Sequence, residues 1–159
     1  MSRSFSVLLV EDDDPLRSVL TDLLSQWGWT VHDTGLGQEA VAIARRIPLD
    51  FSILDMHLPG MTGVDVLLRI AQETRPLPSI FMSGQATPEE ANAALRAGAF
   101  TLLRKPLDLA GLRTTVHLLI QRHFGTAGFG PVPGLPPRGL LPPPPGHAGP
   151  GSPPKPKRS

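Results

Sequence analysis

The sequence predicts an α/β fold: a doubly wound parallel sheet of five strands alternating with five helices, followed by a disordered C-terminal tail. Three observations carry that prediction. From Ser6 onward, short β-rich runs alternate with longer runs of helical period, the pattern of βα units around a parallel sheet. Several of the short runs are apolar at nearly every position, as strands covered on both faces must be. After Phe124 the alternation stops, and residues 125–159 hold 12 of the 19 prolines and 8 of the 16 glycines. Such a segment cannot build a core. The domain is therefore expected over residues 5–124, and the Pro/Gly-rich basic tail over 125–159.

Ser6–Val10 is the first strand. Pro15 suits the first turn of the helix that follows, and Asp13 and Asp14 suit its cap better than a ligand role. Along residues 15–27, Leu16, Val19, Leu20, Leu23, Leu24 and Trp27 recur at spacings of three and four and form one apolar stripe. Thr30–Asp33 alternates and is more polar, which places it at a sheet edge. Ala40, Ile43, Ala44 and Ile47 mark the second helix, Phe51–Asp55 the third strand, and Val64, Leu67, Leu68 and Ala71 the third helix. Ser79–Ser83 is the fourth strand. The fourth helix, about Pro88 to Ala97, offers mostly alanine (Ala91, Ala93, Ala94, Ala97), so it should be the least firmly docked and a movable element. Thr101–Leu103 is the fifth strand, and the stripe Leu109, Leu112, Val116, Leu119, Ile120 makes a last helix ending near His123.

Composition narrows the function classes. Residues 1–124 carry 11 Lys+Arg against 14 Asp+Glu, and the tail carries 4 basic residues and no acid, so the overall +1 sums −3 and +4. Basic charges that sparse do not argue for direct nucleic-acid binding. There is no cysteine, hence no disulfide, thiolate nucleophile or cysteine metal site, which suits a reducing, cytoplasmic setting. No apolar run approaches the roughly 20 residues that cross a bilayer, and no signal-peptide core follows Met1, so no membrane insertion is expected.

In doubly wound sheets, sites form outside the carboxyl ends of the strands. There the first strand runs into Glu11-Asp12-Asp13-Asp14 and the third ends in Asp55, so acids from two strands converge. Like charges a few ångströms apart repel unless a cation lies among them, and hard oxygen ligands suit Mg²⁺ or Mn²⁺. The fourth strand ends in Ser83-Gly84, a hydroxyl donor, and the fifth is followed by Lys105-Pro106, a fixed cation. Carboxylate, divalent ion, hydroxyl and lysine around one pocket are what phosphoryl transfer onto an aspartate needs. The nucleophile is already ionised, charge is neutralised, and donors face the phosphoryl oxygens. A phosphoester hydrolase would also need an acid for the leaving group, for which His57 is the only and a poor candidate.

Taken in order, Val7-Leu8-Leu9-Val10-Glu11-Asp12-Asp13, Leu54-Asp55-Met56-His57-Leu58-Pro59-Gly60-Met61-Thr62-Gly63, Ser83-Gly84 and Ala97-Gly98-Ala99 leading to Lys105-Pro106 resemble the receiver domain of two-component response regulators. The resemblance covers roughly Phe5 to His123. It implies the flavodoxin-like strand order 2-1-3-4-5 and makes Asp55 the phospho-acceptor. It also implies that Glu11, Asp12, Asp55 and the backbone carbonyl of His57 hold Mg²⁺ or Mn²⁺, Asp12 directly and Glu11 mostly through water. Ser83 would hydrogen-bond a phosphoryl oxygen, and Lys105, joined to Pro106 by a cis peptide, would pair with the phosphoryl group. The donor would be a sensor histidine kinase or phosphotransfer protein, and the output a changed affinity for a downstream protein partner. No enzyme is implied beyond slow self-dephosphorylation. The His57 side chain is expected at the pocket rim, where it can tune the attack of water on the acyl phosphate.

One position departs from that family. Receivers commonly carry Tyr or Phe three residues before the lysine of Lys-Pro; here it is Leu102, and the chain has no Tyr. Phe100, two residues earlier, is expected on the same strand face as Leu102. Signalling then runs through an aliphatic residue, or through another surface such as the fourth helix. Nothing after Phe124 resembles a second globular domain, so the expected protein is a stand-alone receiver. Two alternatives stay open: a phosphorelay intermediate, and a phosphorylation-independent interaction scaffold using the Pro-rich tail, whose Pro142–Pro145 run favours polyproline II. Trp27 and Trp29 are expected to report ion binding by fluorescence.

Overall fold

The computed structural model describes residues 3–125. The expectations for residues 126–159, an extended chain with a spacing or docking role, lie outside the described residues. In chain order the elements are β1 (Ser6–Val10), α1 (Asp14–Gln26), β2 (Thr30–Thr34), α2 (Gly37–Arg46), β3 (Phe51–Asp55), the two-residue strands β4 (His57–Leu58) and β5 (Met61–Thr62), α3 (Gly63–Glu73), β6 (Ser79–Ser83), α4 (Pro88–Arg96), β7 (Thr101–Arg104) and α5 (Leu109–Phe124). Five strands form one parallel sheet in the order β2-β1-β3-β6-β7. Counting the strands of this sheet alone, that is the order 2-1-3-4-5.

Continuous apolar runs make central strands because helices cover both sheet faces. Phe5, Val7, Leu9, Phe51, Ile53, Ile80 and Met82 pack with α1 and α5 on one face. Leu8, Val10, Leu54 and Phe81 pack with α2, α3 and the single buried residue of α4, Ala94, on the other. Phe81, on β6, is fully buried with its ring beside the start of α3, and truncating it to alanine would cost about 3–5 kcal/mol. The poor docking expected of the alanine-rich helix is thus present. The polar, alternating β2 lies at one edge as its composition requires.

Helix starts follow from local chemistry. Asp13 caps α1, its side chain accepting from the Leu16 amide, and Pro15 follows in the first turn. Thr62 and Asp65 form a reciprocal capping box at α3. Thr87 caps α4 and Asp108 caps α5.

Two expectations need correction, and one element has no counterpart among them. Phe100 does not share a face with Leu102: it precedes β7, where strand alternation does not yet hold, and packs with α5 and β6 while Leu102 lies against the opposite cluster. The β4–β5 hairpin was not foreseen; its antiparallel pairs, His57 with Thr62 and Leu58 with Met61, close on Pro59-Gly60. Gly60 has φ of 72° there, a conformation that favours glycine. Finally, Trp27 and Trp29 pack edge-to-face on each other next to Phe5, at the amino ends of the strands. They lie at the opposite end of the sheet from the acidic loops and are poorly placed to report on them.

Candidate functional site

At the carboxyl end of β1 the chain continues the sheet for one residue, the Glu11 amide donating to the Thr34 carbonyl at 3.0 Å. This turns the Glu11 side chain inward and buries it completely. The Glu11 carbonyl accepts from Arg17 Nη1 at 2.8 Å, and the same guanidinium pairs with Asp14 and Asp33. One cation thereby ties the loop after β1 to α1 and to the end of β2.

Asp55 is the last residue of β3, almost wholly buried. Its Oδ1 accepts from the His57 amide at 3.0 Å and its Oδ2 from Lys105 Nζ at 2.9 Å. The backbone behind it is closely packed: a β-carbon on Gly63 would lie 2.2 Å from the Asp55 carbonyl oxygen and 2.8 Å from the Phe81 ring. Only glycine lets α3 begin so near the aspartate.

Lys105 enters from beyond β7, its amide donating to the Ser83 carbonyl at 2.8 Å and its peptide to Pro106 cis. Its ammonium also contacts Glu11 Oε1 at 2.9 Å and Oε2 at 2.8 Å, so one cation is shared by two carboxylates. Burial pushes the Glu11 carboxyl above its ordinary range, with the Asp55 charge adding to the rise and Lys105 opposing it. For Lys105 burial acts to lower the ammonium, but hydrogen bonds to Glu11 and Asp55 reverse this and hold it above its ordinary value.

Asp12 is exposed beside this pair, and carboxylate oxygens of Glu11, Asp12 and Asp55 lie within 4.8 Å of one another. Three carboxylates meet here while Lys105 neutralises only two of them, Glu11 and Asp55, and Glu11 is a buried carboxyl displaced toward its protonated form. This donor set fits a divalent cation such as Mg²⁺.

Ser83, the last residue of β6, is buried; its Oγ accepts from the Gln85 and Ala86 amides at 3.2 and 3.1 Å. That hydroxyl donates to Glu90 Oε2 at 2.6 Å, and Glu90 Oε1 meets His57 Nε2. The His57 ring is half-exposed at the rim, as expected, but bridged to α4. Burial tends to raise the Glu90 carboxyl, yet its bonds to Ser83 and His57 outweigh that and hold it low. The structure therefore gathers Glu11, Asp12, Asp55 and Lys105 into one cluster, and turns Ser83 and the His57 ring toward Glu90. Glu90 escaped the sequence reading. Its one signal is Thr87-Pro88-Glu89-Glu90, whose spacing suggests a capping box, whereas the side chain turns to Ser83 and His57.

Among the described residues, no helix is long and apolar enough to cross a membrane. The response regulator receiver domain profile matches residues 7–117. The cell cycle transcriptional regulator CtrA of Caulobacter vibrioides is 31% identical over 123 residues, covering 76% of this chain and 52% of CtrA. The chain spans about half the length of the curated relatives it matches. Among solved structures, the non-phosphorylated HemR receiver domain from Leptospira biflexa superposes with a TM-score of 0.69 at 29% identity, covering 74% of this chain and 94% of that one. The CheX–CheY–BeF3–Mg²⁺ complex from Borrelia burgdorferi matches with a TM-score of 0.68 at 28% identity, covering 73% and 89%.

Proposed function

The chain belongs to the response regulator receiver domain family, and from that premise we propose that it is a cytoplasmic switch that accepts a phosphoryl group on Asp55. The observation that carries the choice of residue is the Asp55 carboxylate, held between the His57 amide and the Lys105 ammonium beside two further acids. An ionised carboxylate needs no base to act as nucleophile. In the transfer, a carboxylate oxygen of Asp55 bonds to phosphorus while the phosphorus–nitrogen bond of a phosphohistidine breaks. The imidazole nitrogen leaves with the electron pair. The donor is a sensor histidine kinase or a phosphotransfer protein.

Each neighbour then has a part. Lys105 keeps Asp55 and Glu11 together before transfer and pairs with the phosphoryl oxygens after it. Ser83 supplies one hydroxyl proton to a phosphoryl oxygen. Glu11, Asp12, Asp55 and the His57 carbonyl are the residues that would hold Mg²⁺. When bound, the ion supplies charge neutralisation among carboxylates and phosphoryl oxygens. The product is an acyl phosphate that water removes slowly, so the chain is a phospho-acceptor rather than an enzyme with turnover. Its output is a changed affinity for a downstream protein.

The experiment is incubation of the full chain with acetyl phosphate and Mg²⁺, followed by intact mass, on the wild type and on Asp55→Asn. One added phosphoryl group in the wild type alone is the expected result; an equal increment in the variant would move the acceptor elsewhere. Leu102, aliphatic and half-buried on the α4 side, favours a second reading as a phosphorylation-independent scaffold. That reading gains if the wild type takes up no phosphoryl group.

A further inference from the structure

Glu90 has no part in the chemistry above, yet it touches two residues that do. It stands in the first turn of α4, where Thr87 Oγ1 accepts from its amide at 3.2 Å. Its carboxylate is largely buried, one oxygen on the Ser83 hydroxyl at 2.6 Å and the other on His57 Nε2. A hydroxyl has one proton to give. The acceptor side of Ser83 is already filled by the amides of Gln85 and Ala86, which fixes the oxygen in place. Its proton can therefore point to Glu90 or to a phosphoryl oxygen on Asp55, and not to both. The bond to Glu90 is charge-assisted, a strong class of hydrogen bond.

We propose that Glu90 is a positioning residue that holds the resting state by occupying the Ser83 proton, and that its release carries phosphorylation of Asp55 into the first turn of α4. The inference rests on Asp55 being the acceptor. Two features of the fold make release mechanically cheap and directed. Helix α4 buries only Ala94, so little apolar surface opposes a shift of its amino end. A phosphoryl group also brings a charge near −2 to the pocket, which repels the Glu90 carboxylate while drawing on Ser83 and Lys105. With Leu102 in place of an aromatic at the edge strand, this contact is a direct covalent-to-helix route that bypasses β7.

The test uses the full chain as wild type, Glu90→Ala, Glu90→Gln and Ser83→Ala, and the double variant Ser83→Ala/Glu90→Ala. Two quantities are read: the initial rate of phosphorylation by acetyl phosphate with Mg²⁺, and amide hydrogen exchange across residues 88–96. Freeing Ser83 from one charged hydrogen bond should raise the rate about tenfold in Glu90→Ala. Glu90→Gln keeps an acceptor oxygen without the charge and should fall between. In the Ser83→Ala background, removing Glu90 should leave the rate unchanged, a non-additivity that a general loosening of α4 would not produce. Unphosphorylated Glu90→Ala should already exchange in α4 as fast as the phosphorylated wild type. Equal rates in wild type, Glu90→Ala and Glu90→Gln overturn the proposal, as does an effect of Glu90→Ala that persists without Ser83. A wild type that takes no phosphoryl group on Asp55 overturns both this inference and the proposed function. Should Glu90→Ala fail to fold, Glu90→Gln against Ser83→Ala decides on the same criteria.

Discussion

Replacing Lys105 by methionine removes the ammonium while keeping an unbranched chain of similar length. In the wild type that ammonium lies 2.8–2.9 Å from both Glu11 oxygens and 2.9 Å from Asp55 Oδ2. Removing one partner of a buried ion pair costs about 3–5 kcal/mol because the other charge stays buried. Lys105 is about one-fifth exposed, so water recovers part of the loss and the low end applies, about 3 kcal/mol at neutral pH with chelator present. For a domain of this size that is a fall in melting temperature of roughly 10 °C. The loss should shrink on acidification. Glu11 is held above 4.5 by burial, so the folded state binds its proton more tightly than the unfolded chain does. The stability from that proton is fully present below 4.5 and fades as pH rises through the folded value. Without Lys105 the carboxyl rises further, and a proton takes the place of the ammonium. Thermal melts of both proteins from pH 5 to 8, in chelator and then in millimolar Mg²⁺, read each step. A variant within about 1 kcal/mol of wild type at neutral pH, or a loss indifferent to pH, would refute the view that Lys105 neutralises these carboxylates.

Further outcomes are expected. Gly63→Ala forces a β-carbon into the Asp55 carbonyl and the Phe81 ring, at a cost of about 3 kcal/mol or more in urea unfolding; unchanged stability would mean that α3 can back away. Above pH 10.5 the wild type should lose stability that the Lys105→Met variant never had. The Lys105 proton is bound more tightly in the folded state, so its contribution is full below 10.5 and lost as pH rises through the folded value; parallel alkaline melts of the two proteins would contradict this. Tryptophan emission should be unchanged within error on adding Mg²⁺, since Trp27 and Trp29 pack with Phe5 and not with the acidic loops. A clear change would show the two ends of the sheet to be coupled.

The sheet was legible because its signals are local and redundant. Ser6–Val10, Phe51–Asp55 and Ser79–Ser83 are read to the residue, since continuous apolar runs bounded by acids or loops have one interpretation in an alternating pattern. The acidic cluster and Lys105 followed from the rule that sites lie beyond strand ends, applied to four strands at once. What stayed hidden depended on direction rather than position. The face of Phe100 turns on whether β7 has begun, a matter of one residue that periodicity does not resolve. Glu90 looks like any acid in a first helical turn, favoured there by the helix dipole. Its reach to Ser83 and His57 depends on how α4 sits on the sheet, which an alanine-rich sequence specifies weakly. The β4–β5 hairpin is too short to carry an alternation, though Pro59-Gly60 is a turn signal.

Inside the sheet, Ser52 on β3 and Ser79 on β6 stand opposite each other, and their hydroxyls hydrogen-bond. Ser79 is also bonded to the Leu77 carbonyl. Apolar alternation alone does not say which pairing of these two strands is right, because a slip of two residues returns every side chain to its own face. The Ser52 hydroxyl does say it: slipped by two it would face Leu77 or Phe81 and lose its cross-strand partner, at a cost of about 1–3 kcal/mol for a buried group, while Ser79 would keep only its bond to the Leu77 carbonyl. Since a residue of strand is about 3.3 Å long, a slip of two would carry Ser83 and its loop more than 6 Å along the sheet from Asp55. The buried serine pair thus acts as an alignment key, and the spacing of the functional groups at the rim is set by a polar contact near the opposite, amino ends of the same two strands.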